Sequence, residues 1–210
     1  GVWFNPISQR WSVFNEDIAS IPDGASFNIR IGSGFLHQAN PSNIVGHWTV
    51  IDNPAANNNP TAKVSVTPVW VNGVGAVYET HPIGVWYDGA HWAIYNQDIA
   101  LMPNKTTFFV EIGDGFVHKA TASNISGHVT YIDNAQCNGK PSARLIVTAN
   151  FNPSNQGGTY ENHNFGVWYD GSRWSIFNQD FAPMPVNAAF NVIVVNSPKI
   201  TNAYFVNRKL

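Results

Sequence analysis

One block of aromatic and polar residues recurs three times and constrains this chain more than any other sequence feature. Each copy contains Gly-Val-Trp, a second tryptophan, an Asn-Gln-Asp or Asn-Glu-Asp tripeptide and a proline, in that order. The copies begin at Gly1, Gly84 and Gly166, which places the last two about 82 residues apart. Repetition at such a period is typical of chains that build one structural unit in tandem. The sequence therefore predicts a repeat protein.

A longer block lies between the copies of the short block and occurs only twice. Phe35-Leu36-His37 opens its first copy, and Phe116-Val117-His118 opens its second. The order short, long, short, long, short predicts a half repeat, two whole units and a tail. The predicted boundaries are 1–34 for the N-terminal half repeat, 35–115 for unit 1, 116–195 for unit 2 and 196–210 for a C-terminal strand or tail.

The segments between turn residues have the composition of β-strands. Residues 63–67 (KVSVT) and 144–148 (RLIVT) are rich in β-branched side chains, which favour strands. Asp88-Gly89 and Asp170-Gly171 lie between aromatic runs, where Asp-Gly predicts a hairpin with a two-residue type I′ turn. A further strand is predicted around Phe27, Phe108 and Phe190. We predict an all-β fold of tandem antiparallel β-sandwich-like repeats of about 82 residues.

The two tryptophans of each short block are its largest apolar side chains. Across a hairpin they are predicted to lie on one face as a cross-strand pair. Such a pair either forms the core of a unit or makes a platform on which a sugar ring stacks. The core is the preferred interpretation, because all three copies keep both rings.

The Asn-Gln-Asp tripeptide also has two interpretations. Short polar side chains commonly bind backbone groups in a turn, but amides and a carboxylate can also bind sugar hydroxyl groups. Calcium is disfavoured, because a calcium loop needs several closely spaced carboxylates. On the sugar-binding interpretation, the candidate ligand-binding residues are Trp86, Trp92, Asn96, Asp98, Trp168, Trp174, Asn178 and Asp180.

Most histidines of the chain occupy matched positions in the two long blocks. The pairs are His37 with His118, His47 with His128, and His81 with His163. Imidazole near a carboxylate can bind zinc or relay protons, but the sequence has no close ligand pair such as His-Glu-x-x-His. Matched positions favour one structural hydrogen bond repeated in each unit. We predict no metal, cofactor or catalytic site, and the chain is predicted not to be an enzyme.

The low charge of the chain limits the classes of partner that it is predicted to bind. Charged residues make up 11% of the sequence and the formal net charge is −2, so the basic surface that nucleic-acid binding needs is missing. Weak charge repulsion permits self-association. Cys137 is the single cysteine, which excludes an intrachain disulfide. The chain has no apolar run of about 18 residues that would predict a membrane span, and its low charge and abundant asparagine favour an extracellular, secreted location.

The third short block carries a specific family signature. Residues 166–180 (GVWYDGSRWSIFNQD), followed by Met184-Pro185, resemble an uncharacterised bacterial repeat domain of predicted secreted proteins. The resemblance extends over the chain except about its last fifteen residues. It implies a repeat architecture and export, and it implies no ligand or activity.

The unequal number of the two blocks suggests how the chain functions. Because repeat units do not bury their faces alone, the extra half repeat needs a neighbour, which is either the tail of its own chain or that of another copy. The predicted function is a structural subunit of an extracellular self-assembling fibre or surface layer, linked head to tail by terminal strand exchange. The alternative is a secreted carbohydrate-binding, lectin-like or adhesive module that binds neutral glycans. The candidate assembly residues are Gly1, Val2, Trp3, Tyr204, Phe205 and Val206.

Overall fold

The fold is all-β, as the sequence predicted. The computed structural model describes residues 1–72, 76–155 and 158–195; the predicted tail, 196–210, with Tyr204, Phe205 and Val206, lies outside them. No helix among these residues is long and apolar enough to cross a membrane. The strands in chain order are β1 Val2–Asn5, β2 Arg10–Val13, β3 Phe35–Gln38, β4 Ile44–Val45, β5 Trp48–Ile51, β6 Lys63–Trp70, β7 Ile83–Tyr87, β8 Trp92–Asn96, β9 Thr107–Gly113, β10 Gly115–Lys119, β11 Ile125–Ser126, β12 Val129–Tyr131, β13 Arg144–Phe151, β14 Phe165–Tyr169, β15 Trp174–Asn178 and β16 Ala189–Val195.

Unit 1 is a sandwich of two sheets around one core. Strands β6, β9 and β3 are neighbours in one sheet, and β7, β8, β5 and β4 are neighbours in the other. Val64 and Phe108 from the first sheet meet Val85, Trp92 and Ile94 from the second, and all five side chains are buried. Removal of these apolar groups from water stabilises the face-to-face packing.

Unit 2 repeats this architecture around a second core. Its sheets contain β13, β16 and β10 on one side and β14, β15, β12 and β11 on the other. Leu145 and Phe190 from the first sheet pack with Ile132 and Ile176 near the second. Tandem sandwich-like repeats are therefore confirmed, and the two cores lie within the predicted ranges 35–115 and 116–195.

Two parallel strand pairs connect the blocks and depart from the purely antiparallel prediction. In the first joint, β1 pairs with β6 through Val2–Val69 and Trp3–Trp70. In the second joint, β7 pairs with β13 from Gly84–Ala149 to Trp86–Phe151. The second joint makes the sheets of unit 1 and unit 2 into one seven-stranded sheet, ordered β10-β16-β13-β7-β8-β5-β4. A sheet thus passes without interruption from one unit into the next.

The hairpin turns are longer than the predicted two-residue type I′ turn. The register pairs Tyr87 with Trp92, so four residues form the loop of β7–β8. The Asp88 carboxylate accepts hydrogen bonds from the backbone N–H groups of Ala90 at 2.8 Å and His91 at 2.7 Å. The type I′ prediction is wrong. The Asp88 side chain binds the backbone of a wider loop, and the Asp88 backbone does not adopt the positive φ that a type I′ turn needs.

The predicted strand around Phe27 does not form. Its counterparts in the units lie in β9 and β16, each of which pairs with a neighbour on both sides. Phe27 is 52% exposed, whereas Phe108 and Phe190 are fully buried. Among the described residues, no long block supplies strands that could flank this segment of the half repeat. The backbone around Phe27 therefore has no neighbouring strand with which to form hydrogen bonds.

Candidate functional site

The two tryptophans of a hairpin lie on opposite faces, and the predicted cross-strand pair is wrong. Trp86 lies opposite Ala93, while Trp92 lies opposite Tyr87, and directly opposed side chains share a face. Trp92 and Trp174 point into the cores of unit 1 and unit 2, with exposed fractions of 1% and 8%. Their indole N–H groups donate to the Asn59 and Lys140 carbonyls at 2.9 and 3.0 Å. These two rings therefore present no platform to a sugar.

Trp86 instead belongs to an aromatic cluster at the second joint. Unit 1 contributes His47, Trp48, Trp86 and Tyr95, and unit 2 contributes Phe151 and Tyr160. The Trp86 ring lies 5.7 Å from Trp48 and the Tyr95 ring 5.7 Å from Tyr160, both near edge-to-face, which is a favoured aromatic geometry. A cavity of about 110 Å³ remains between them. The outer face of one sandwich is thus covered by the next.

The first joint has the same cluster with part of it absent. Trp3, Phe14, Trp70 and Tyr78 occupy the positions of Trp86, Tyr95, Phe151 and Tyr160. No counterparts of His47 and Trp48 line this joint among the described residues. The cavity here reaches about 400 Å³. Of the predicted assembly residues, Gly1, Val2 and Trp3 are therefore engaged within the chain, with the Gly1 carbonyl accepting from Phe14 N–H at 3.0 Å.

The third hairpin belongs to unit 2 and carries counterparts of the side chains that unit 1 contributes to the second joint. His128, Trp168 and Phe177 occupy the positions of His47, Trp86 and Tyr95. Trp168 is 51% exposed, and β14 pairs with β15 alone among the described strands. None of the other described strands pairs with the edge of β14 that corresponds to the edge of β7 used in the second joint.

A polar contact crosses each joint next to the aromatic rings. The Gln97 side-chain oxygen accepts a hydrogen bond from the backbone N–H of Glu161 at 3.0 Å. Glu16 makes the same contact with the backbone N–H of Glu79 at 3.0 Å. Gly84 permits this arrangement, because a Cβ there would lie 2.9 Å from the Gln97 amide nitrogen and 2.7 Å from the Tyr95 hydroxyl. The middle residue of the tripeptide therefore connects units.

Two glutamate side chains are buried at these contacts. Glu79 and Glu161 have exposed fractions of 2% and 1%. Burial raises the pKa of each carboxyl group to about 7, since desolvation disfavours the charged form. One carboxylate oxygen of Glu79 has no hydrogen-bond partner among the described residues, and a side-chain hydrogen bond from Asn178 opposes the rise in the pKa of Glu161. The sequence matched these glutamates between blocks but gave no sign that they are buried.

The outer residues of the tripeptide build a turn, as the preferred interpretation predicted. Asn96 and Asn178 are fully buried and donate to the Ala100 and Ala182 carbonyls at 3.1 and 3.2 Å. Asp98 and Asp180 accept from the backbone N–H groups of the same alanines at 3.1 and 3.0 Å. The remaining carboxylate oxygens contact His81 and His163 at 2.6 and 2.7 Å.

Two of the matched histidine pairs make one hydrogen bond each in both units, as predicted. His37 contacts the Thr49 hydroxyl and His118 contacts the Thr130 hydroxyl, both at 2.8 Å. Burial lowers the pKa of both imidazoles to about 4, so they are neutral at neutral pH. No cluster of three metal-ligating side chains occurs in the part of the chain that the structure describes.

The eight predicted ligand-binding residues do not form one site. Trp92, Trp174, Asn96 and Asn178 are buried, and Trp86 lies in the second joint. Trp168 and Asp180 remain exposed on unit 2. The Cys137 thiol, whose chemical role the sequence left open, lies in the core of unit 2, where burial raises its pKa.

A family model for DUF7452, a domain of unknown function, matches residues 1–112 and again residues 113–194. The chain belongs to the DUF7452 family. Each DUF7452 match contains one sandwich, and the first also contains the N-terminal half repeat. The chain matches no curated protein and no solved structure. The double match agrees with the predicted uncharacterised repeat domain, and the interfaces between DUF7452 units must be interpreted from their own geometry.

The contact between Gln97 and Glu161 gives a first prediction. Gln97→Ala removes the acceptor of a buried backbone N–H, so the free energy of unfolding is expected to fall by about 1–3 kcal/mol. Gln179→Ala is the matched control, because Gln179 occupies the same repeat position but is exposed; its effect is expected to stay within about 0.5 kcal/mol. Urea denaturation measures both. Equal losses for the two variants would contradict a special role for the joint.

Proposed function

We propose that this chain is a structural subunit of an extracellular fibre or surface layer, in which DUF7452 units join head to tail through continuous β-sheets. The second joint carries the proposal, since there a seven-stranded sheet runs from unit 1 into unit 2. Each unit offers one kind of edge to the unit after it and another kind to the unit before it. Such heterologous contacts propagate without closing unless a rotation returns them to the start.

Two strand edges that lack a partner in the described part of the chain support the proposal. Among the described strands, β14 pairs with β15 alone and β2 pairs with β1 alone, whereas β7 and β8 are paired on both sides. Unpaired strand edges recruit further strands. Charged residues make up 11% of the sequence, so electrostatic repulsion between copies of the chain is weak. An extracellular location is part of the proposal and rests on the same composition.

The assembly state of the purified chain tests this proposal. Static light scattering over rising protein concentration is expected to show increasing mass, and electron microscopy is expected to show elongated particles. The particles should widen little as they lengthen, because the joint adds units along one direction. Strictly monomeric particles at high concentration would contradict the proposal.

A second candidate function is the binding of neutral carbohydrate. The observation in its favour is the cavity of about 400 Å³ at the first joint, lined by Trp3, Trp70 and Tyr78. The buried indole N–H of Trp3 has no hydrogen-bond partner among the described residues, so a sugar hydroxyl could accept from it. Binding of the monomer to arrayed neutral glycans, with no assembly, would favour this function over the first.

A further inference from the structure

We propose that hairpin β14–β15 of one copy joins strand β6 of a second copy, in the place that the second copy's own hairpin β1–β2 occupies. This inference rests on the proposed self-assembly and names the two surfaces that meet. Hairpins β1–β2, β7–β8 and β14–β15 share one sequence pattern. The first two each pair in parallel with the long strand of the following unit, and the same edge of the third has no partner among the described strands.

The side chains of the proposed contact complement one another in volume. In the second joint, Trp48 of unit 1 and Phe151 of unit 2 contribute to one aromatic cluster. The proposed contact would bring Val129, the counterpart of Trp48, to Trp70, the counterpart of Phe151. The smaller side chain on one partner is therefore offset by a larger one on the other. Interfaces that keep total volume pack with little loss.

The polar contact also favours the exchange. Gln179 of the incoming hairpin would take the place of Glu16, whose carboxylate accepts from the backbone N–H of Glu79 in the first joint. The Glu79 carboxyl group is buried nearby, and the Glu16 charge is one of the causes that raise its pKa. Replacing Glu16 by a neutral amide removes a like charge from a site of low polarity and keeps the hydrogen-bond acceptor.

The hairpin that must leave is held by a shorter ladder than its counterpart in the second joint. The first joint contains two register pairs, whereas the second contains three. Trp11 of β2 is 65% exposed, and Phe4 of β1 is 40% exposed. Neither ring lies in a sandwich core. Departure of hairpin β1–β2 uncovers Trp3 and Phe14, and the burial of Trp168 and Phe177, which occupy the same repeat positions, offsets that loss.

A reversible disulfide tests the exchange in the full chain. Val2→Cys with Val69→Cys would tether β1 to β6, because paired strands lie about 4.8 Å apart, a separation that a disulfide spans. Cys137→Ala in the same chain prevents mispairing, and unit 1 has Ala56 at that buried position. We expect the oxidised protein to stay monomeric at concentrations where the same protein, once reduced, assembles. Light scattering before and after reduction measures the difference.

A substitution in hairpin β14–β15, the other surface of the proposed contact, provides a second test of the exchange. Trp168→Lys is expected to raise the concentration needed for assembly by about thirtyfold, as for loss of a central interface aromatic. Leu101→Lys is the control, since Leu101 is 76% exposed and lies in neither hairpin β14–β15 nor strand β6. Assembly of the oxidised tether, or an unchanged threshold for Trp168→Lys, would overturn the exchange while the proposed fibre function stands. Failure of the unaltered chain to assemble would overturn both.

Discussion

Replacing Trp174 by alanine is expected to lower the free energy of unfolding of unit 2 by about 3–5 kcal/mol, because it empties a core position that a large ring fills. Trp174 packs with Tyr169 at 5.5 Å between ring centroids, and its indole N–H donates to Lys140. Alanine would leave a cavity, and the Lys140 carbonyl would keep only its hydrogen bond from the Ala143 N–H group at 3.1 Å. Trp92→Ala is expected to have the same effect on unit 1, where Trp92 is 1% exposed.

Trp11 offers a matched control inside the same protein. It occupies the equivalent repeat position and contacts Phe4 at 5.5 Å, yet it is 65% exposed. Trp11→Ala is therefore expected to change stability by less than about 0.5 kcal/mol. Denaturant titration of the three variants, followed by far-UV circular dichroism, measures the contrast. Similar losses at all three positions would show that the half repeat is packed as tightly as the whole units.

The sequence predicted the repeat and the hairpins because these depend on local residue types. The face on which each tryptophan lies was also contained in the sequence, since an even number of loop residues places Trp86 and Trp92 on opposite faces. The two-residue turn predicted at Asp88-Gly89 and the observed four-residue loop are both even. The predicted cross-strand pair is wrong because Trp86 and Trp92 would share a face only across a loop with an odd number of residues.

The joints could not be predicted in the same way. Val85, Trp86 and Phe151 are typical strand residues whether their strands pair in parallel or antiparallel, so their sequence does not report the partner. Gln97 looked like part of a turn because its neighbours Asn96 and Asp98 do build one. Its contact with Glu161 spans 64 residues and depends on the placement of two units. Contacts between units therefore could not be predicted from local residue types.

The carboxyl group of Glu161 should make the joint sensitive to pH. Its pKa is about 7 in the folded chain because burial disfavours the charged form, against 4.5 for an ordinary glutamate. A carboxyl group with a raised pKa binds its proton more tightly in the folded chain, so folding is penalised once that proton leaves. The penalty is absent below about pH 4.5, grows as the pH rises through 7, and then stays constant. A shift of this size corresponds to about 3 kcal/mol.

Glu161→Gln removes this ionisation and keeps the side-chain shape. The stability of the variant relative to the unaltered chain is expected to rise by about 3 kcal/mol between pH 4 and pH 8.5. Taking the difference between two chains cancels the opposite slope of His37 and His118, whose lowered pKa values remove stability on acidification. Asp114→Asn is the control for the loss of one negative charge, because Asp114 is exposed. A flat difference for Glu161→Gln would mean that water reaches the joint.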